Sequence, residues 1–409
     1  MTENKVLFIG LVWPEPTSSA AGKRILQLVE FFLKRGDAVI FSSAATKSEA
    51  SFELNKWNVK EVPVQLNHSS FHEFLKKINP NIVVYDRFVS EEQFGWRVTQ
   101  ECPNAVQILD TEDLHFLRAA REKAYKKQEE IDLYNEITTR EIASILRSDL
   151  SLMISEFEMD LLQNEFKITP SLLHYLPFLE NTSLRWLSEV EAKSFDERKD
   201  FIFIGNFLHE PNWQTVLHLK KNIWPKIKSK LPDANLQIYG AYPSQKVWDL
   251  HNEKQGFLVQ GKAKDALEVI SKARILLAPI PFGAGQKGKF IDAMQAGTPI
   301  ATTSIGAEGM FSDVIPGIIE DNENIFISKT IELYQKESLW HNAQEIGFQI
   351  LNKKFDKNLF QEEFNQKIIE VQSNLSQHRK QNFIGQILKS NATNALKYMS
   401  LWIEAKNSK

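Results

Sequence analysis

Ile275-Leu-Leu-Ala278-Pro279-Ile-Pro-Phe-Gly283-Ala-Gly285-Gln-Lys287-Gly288-Lys289-Phe-Ile-Asp292-Ala-Met-Gln-Ala-Gly297-Thr-Pro299-Ile-Ala-Thr302 reads as a strand, a glycine loop, a helix and a second strand. The apolar run Ile275–Ala278 has strand length, and Phe290, Ile291 and Met294 give the following helix one apolar side. Glycines let backbone amides come close to a ligand, and a helix N-terminus presents unpaired N–H groups with partial positive charge. Lys287 and Lys289 add charge where a diphosphate would sit, and Asp292, one turn into the helix, offers two acceptor oxygens suited to a ribose diol. Phosphate donors, a cation and a diol acceptor converge at a strand C-terminus, where α/β sheets bind nucleotides. A plainer reading stands beside this one: a tight turn, two solvated lysines, and an aspartate favoured by the helix dipole.

The same alternation extends in both directions. Phe201–Gly205, Leu236–Tyr239, Phe257–Gln260 and Pro299–Thr302 read as strands, with helices near Trp213–Leu231 and Ala266–Ala273. Upstream, residues 5–10 and 38–43 are strand-length apolar runs around a helix from about Ala20 to Arg35. In it Ile25, Leu28, Val29, Phe32 and Leu33 recur at helical spacing, and Gly36 stops it. Val59–Val64, Ile82–Tyr85, Ala105–Leu109, Leu150–Ile154 and Leu173–Leu176 add further strands, and strand–helix–strand units require parallel pairing. Residues 116–148 are highly charged and read as one long, mostly solvated helix. The polar stretch 183–200 marks the junction. The expected organisation is two Rossmann-like, doubly wound parallel-sheet α/β units facing a cleft, residues 1–182 and 183–370, followed by a helical tail over 371–409. Whether that tail packs on the body or on a partner is left open.

At 409 residues the chain is comfortable for two domains. With 49 Lys plus Arg against 52 Asp plus Glu, it gives no electrostatic reason to expect nucleic acid as a partner. Cys102 is the sole cysteine, so no intrachain disulfide forms, no Cys/His cluster has zinc spacing, and a reducing compartment fits. The apolar run Val6–Trp13 is far below the roughly 20 residues of a membrane span, and its flanks are poor for a signal peptide. These features imply a cytoplasmic chain, with peripheral contact at the inner membrane face left open.

The glycine-loop segment, with Gly306-Ala-Glu-Gly309 behind it, resembles the C-terminal signature of family 4 (group 1) glycosyltransferases of the GT-B fold. So do Phe203-Ile-Gly205-Asn206-Phe207 with His209-Glu-Pro-Asn212, Gly240 and Gly261. In the first half, Pro14 through Gly22-Lys23-Arg24 and Gly36-Asp37-Ala38-Val39 resemble the family's first loop and helix, and Asp110-Thr-Glu-Asp113-Leu-His115-Phe-Leu-Arg118 resembles its donor-facing post-strand loop. The likeness spans about residues 5–370. It implies a retaining transfer of a sugar from a nucleotide-sugar donor to a glycan, lipid-linked or protein acceptor, in surface polysaccharide or glycoconjugate synthesis, with no cofactor and no metal. Carried over by position, it implies that Asp292 binds the donor ribose and that Lys289 and Lys287 stabilise the departing diphosphate with Asn206 nearby. Gly22 would let the first loop's amides close on the phosphates from the other domain, the backbone after Val259 would hold the base, His115 would lie beside the sugar, and Asp113 would join the donor site. Where the family carries a first glutamate, eight residues before Asp292, this chain has Ala284, so Gly283, Ala284 and Gly285 would offer backbone amides instead.

Other readings keep their place. His115 is as well a structural histidine, Asp110 and Asp113 helix caps, Arg24 the partner of an acid, and Glu308 a surface residue or a ribose or base contact. His209 and Asn212 start a helix with Pro211 in its first turn. The charged helix offers a basic face to a lipid-linked or anionic acceptor, though a salt-bridged surface is simpler. A dehydrogenase is disfavoured, because Gly10-Leu-Val-Trp-Pro-Glu-Pro lacks Gly-x-Gly-x-x-Gly spacing. A nucleotide-sugar hydrolase or epimerase, or an inactive scaffold subunit on the same fold, remains as an alternative.

Overall fold

The computed structural model describes residues 4–182, 193–311 and 314–407. The start of the expected junction, 183–192, lies outside the described residues. Two sheets form the frame. The first contains β1 (Lys5–Gly10), β2 (Ala38–Ser43), β3 (Lys60–Pro63), β4 (Ile82–Asp86), β5 (Val106–Asp110), β6 (Leu150–Met153) and β7 (Leu173–Tyr175), in the order β3-β2-β1-β4-β5-β6-β7. The second contains β8 (Phe201–Ile204), β9 (Leu236–Tyr239), β10 (Phe257–Gly261), β11 (Ile275–Ala278), β12 (Ile300–Thr302) and β13 (Gly317–Ile319), in the order β10-β9-β8-β11-β12-β13. All pairings between these strands are parallel, so the expected pair of doubly wound α/β units is what the chain adopts.

Strands covered on both faces need apolar residues throughout, which explains the unbroken runs in the sequence. In the first sheet, neighbouring residues divide between two cores. Val6, Phe8, Val84 and Ile108 face one; Leu7, Ile9, Val83 and Leu109 face the other. The helix Ala20–Lys34 lays Ile25, Leu28, Val29 and Phe32 on the first of these, starts at the Ser19 cap, and gives way to Gly36 in the left-handed region.

Three expectations change. Residues 116–148 form two helices, His115–Lys127 and Glu136–Arg147, because Gln128 ends the first in a left-handed conformation and an Asn135–Thr138 capping box starts the second. They are not mainly solvated: Phe116, Leu117, Ala120, Arg121, Glu141, Ser144 and Ile145 are buried. The helix Lys357–Ser373 belongs with the first core rather than the second unit. Phe364, Ile368 and Val371 pack among its residues, with the Phe364 ring 4.7 Å from Phe31. Finally, β13 and the helices Glu323–Gln335 and Glu337–Ile350 complete the second unit where no element had been assigned. The tail helix Phe383–Asn407 lies on the helices Arg87–Glu101 and Glu136–Arg147 of the first unit.

Candidate functional site

In each sheet the strand order reverses at one place, between β1 and β4 and between β8 and β11, and ligands of open α/β sheets bind outside strand C-termini at such points. The loop leaving β11 is the glycine loop, and the helix it feeds, Gly288–Gln295, begins immediately after Lys287. Gly285 has φ +63° and lies so close to the first unit that a Cβ there would sit 2.6 Å from Asp113 Cβ. Ala284 is buried among Leu114, Phe116 and Leu117 of the first unit.

Glu158, on the helix Glu156–Asn164 of the first unit, reaches this loop from across the cleft. Its Oε1 accepts the Gly285 N–H at 2.6 Å and the Leu114 N–H at 3.4 Å, while its buried Oε2 accepts nothing. Burial, and then the neighbouring Asp113 charge, push the Glu158 carboxyl up to about 8. Lys287 Nζ folds back onto the carbonyls of Gly285 (2.6 Å) and Ala284 (3.0 Å), and burial lowers it to about 8 against the attraction of Glu158, Glu308 and Asp113. Lys289 Nζ donates to Asn212 Oδ1 at 2.6 Å and stands 4.3 Å from the centre of the Phe203 ring; burial, with help from Lys287, brings it to about 7. Two ammonium groups are thus kept in low-dielectric surroundings without a full counter-charge.

Around them the anions are already engaged. Burial works to raise Asp113, yet Arg118, His115 and His209 hold it well below the usual carboxylate range, and Arg118 pairs with it directly. Arg121 donates to both carboxylate oxygens of Glu308 at 2.7 and 2.9 Å and to the Gly283 carbonyl at 2.8 Å, tying the two units together. Asp292 lies beside Lys23 Nζ at 3.4 Å, Lys23 reaching also to Glu180 at 2.9 Å, and burial raises the Asp292 carboxyl above its usual range. Burial also lowers His209 to about 4, leaving a neutral imidazole beside Asp113 and Lys289 at neutral pH.

The structure therefore gathers Lys287, Lys289, Gly283, Ala284, Gly285, Asp113 and Glu308, with Asp292 and Asn206 along the same cleft. Asn206 Nδ2 donates to the Ser18 carbonyl of the first unit at 3.2 Å. His115 stays in the first unit, its Nδ1 3.3 Å from buried Glu141 and its ring against Phe88. Two backbone amides beside the cleft are engaged locally. The Gly22 N–H is taken by the Ser19 cap at 3.1 Å; what demands glycine there is the backbone of Glu15, 2.5 Å from where a Cβ would be. The Val259 N–H is taken by His251 Nδ1 at 3.1 Å, and β10 slips register between Val259 and Gly261. Asp110 and Asp113 cap no helix: Asp110 is the buried partner of Arg24, and Leu114 precedes the helix without a side-chain bond. Glu158 and Arg121 were missed, since one carries no motif and the other lies in a charged run that resembles a solvated face.

Residues 198–336 match the sequence profile of the family described as Glycosyl transferases group 1. An uncharacterized 44.6 kDa protein in the cps region of Klebsiella pneumoniae is 25% identical over 154 residues, 36% of this chain and 39% of that one, so the match spans about two fifths of the relative. Among solved structures, a glycosyltransferase from Rickettsia africae is similar with a TM-score of 0.65 at 15% identity, covering 91% of this chain and 99% of that one. The pneumococcal O-GlcNAc transferase GtfA, in complex with UDP and GlcNAc, gives a TM-score of 0.65 at 13% identity with 91% and 99% coverage. The two-sheet arrangement is that of GT-B glycosyltransferases.

Proposed function

We propose that the chain transfers a sugar from a nucleoside-diphosphate donor to an acceptor hydroxyl. The observation that carries this reading is the glycine loop entering the helix Gly288–Gln295, with Lys287 and Lys289 half-buried beside it at the strand-order reversal. A diphosphate would restore the charge balance that burial denies these lysines, and it would attract them more as charge develops on the leaving oxygen. In the transfer, the bond between the anomeric carbon and the diphosphate oxygen breaks and the acceptor oxygen bonds to that carbon. The acceptor proton passes to a donor phosphate oxygen on the same face, so configuration is retained. Fixed ammonium groups and helix N–H groups supply the stabilisation in this reading, and no metal step enters it.

Asp292 would take the ribose diol and the bulged backbone after Val259 the base, with His115 and Asp113 on the sugar side and Glu308 at the loop's rim. UDP is the first base to try, because it is the nucleotide in the pneumococcal complex. The cps-region relative favours surface polysaccharide synthesis, with a glycan or lipid-linked acceptor. The direct test is a panel of nucleotide sugars scored first by thermal stabilisation, then by release of nucleoside diphosphate, with product configuration read by NMR. Stabilisation by one donor followed by acceptor-dependent release supports transfer. Binding without turnover on any acceptor would instead indicate an inactive scaffold, and absence of binding removes both readings.

A further inference from the structure

The tail helix Phe383–Asn407 is amphipathic in the inverse sense. The side turned to the protein is small or polar: a Cβ on Gly385 would sit 2.0 Å from the Leu146 carbonyl, Lys389 is buried, and buried Ser400 accepts a hydrogen bond from Arg97 at 2.6 Å. The side turned to water carries large apolar residues near both ends, with exposed Ser390 and Asn391 between them. Phe383 is 69% exposed, Ile384 65%, Tyr398 68% and Trp402 63%, and Ile387 lies on the same face at helical spacing. A helix on a globular body ordinarily hides its apolar stripe, so this one presents its stripe to something else.

The charges around the stripe say what. Lys406 stands 5.2 Å from the Trp402 ring and Lys397 borders Tyr398, whereas the helix's only acid, Glu404, accepts the Ser69 N–H of the body at 3.0 Å. No helix among the described residues is long and apolar enough to cross a membrane. Tyr and Trp with lysines on an apolar face suit the headgroup layer of a bilayer. A second copy would be a poorer occupant, because a twofold pairing of this face sets Lys397 and Lys406 of both copies against one another. In the charged stretch 116–148, Arg118, Arg121, Lys126 and Arg140 are held in ion pairs.

We propose that the outward face of Phe383–Asn407 docks the protein on an anionic bilayer, with the helix lying in the plane of the headgroups. Docking stands apart from glycosyl transfer, because it needs no donor. Full-length protein is floated with vesicles of phosphatidylcholine alone or mixed with phosphatidylglycerol. The expected result is flotation with the mixed vesicles, weakened by salt, and a loss of about tenfold or more for Ile387→Glu or Trp402→Glu at unchanged thermal stability. Lys397→Glu with Lys406→Glu should remove the preference for phosphatidylglycerol. Failure to float with mixed vesicles, or unaltered flotation of Trp402→Glu, overturns the proposal. So does a dimer in sedimentation that Trp402→Glu dissociates.

Discussion

Single residues in the cleft carry costs that a ligand would relieve. Lys287 at about 8 and Lys289 at about 7 are ammonium groups held off by burial, and a bound diphosphate should raise both. Donor binding then takes up protons: affinity should be flat below about pH 7 and fall by up to about tenfold per pH unit for each proton above it. Titration calorimetry of a nucleotide sugar in buffers of different ionisation enthalpy reads this directly; affinity that rises with pH would contradict it. Lys289→Ala should reduce kcat by about 100-fold or more with the fold unchanged by circular dichroism, the scale of a lost oxyanion contact. Glu158 works in the opposite direction. A carboxyl near 4.5 when unfolded and about 8 when folded contributes stability at low pH that is lost as pH rises through that window. Glu158→Gln keeps the acceptor for Gly285 and removes the charge, so it should be more stable than the parent by up to about 4 kcal/mol at pH 8, with the gain vanishing near pH 4. Denaturant melts at the two pH values decide it. The Glu158 contact is not predictable from sequence, because it brings together two residues 127 positions apart once the two units have closed on one another.

Secondary elements were legible where one period ruled. The strand runs of both sheets and the helix Ala20–Lys34 matched because uniform burial, or burial of one helical stripe, leaves its pattern in the chain. Where elements were misread, the pattern recorded something else. In residues 116–148 the buried cations serve ion pairs to other elements, Arg121 with Glu308 and Arg147 with Glu91, while Lys123, Lys127, Glu129 and Glu130 face water. The helix Lys357–Ser373 was recognised as a helix, but periodicity does not say which core receives it. Phe364, stacked between Phe31 and His174, anchors that return. Phe364→Ala should cost about 3–5 kcal/mol, read in urea melts, and lower the transition of the first unit although the residue follows the second in sequence. An unchanged melt would place the helix elsewhere.

At the scale of the molecule, the cleft is closed by polar contacts between the units. Arg121 with Glu308 and Gly283, Lys126 with Glu210, Lys23 with Asp292, and Tyr242 with Glu15 all cross it. Apolar contacts join them, with Ala284 in the first unit's core and the Tyr125 ring 5.2 Å from Phe282, and interfaces between domains of this mixed kind commonly permit hinge opening. Removing the Arg121 side chain leaves Glu308 and the Gly283 carbonyl unpaired, and Arg121→Ala should shift the population toward an open form. Small-angle scattering should show a larger radius of gyration for this variant without donor, and a return toward the parent value at saturating donor.

By itself the amino-acid sequence determined that two parallel-sheet units form and that one glycine loop with two lysines ends β11, because strand burial, helix amphipathicity and turn chemistry are local and repeat along the chain. Only the tertiary structure decided what faces that loop. Glu158, Arg121 and Asp113 meet it, and the tail turns its apolar side outward. Those outcomes depend on distances between residues more than a hundred positions apart, and on burial that raises or lowers a charge only after the units have packed.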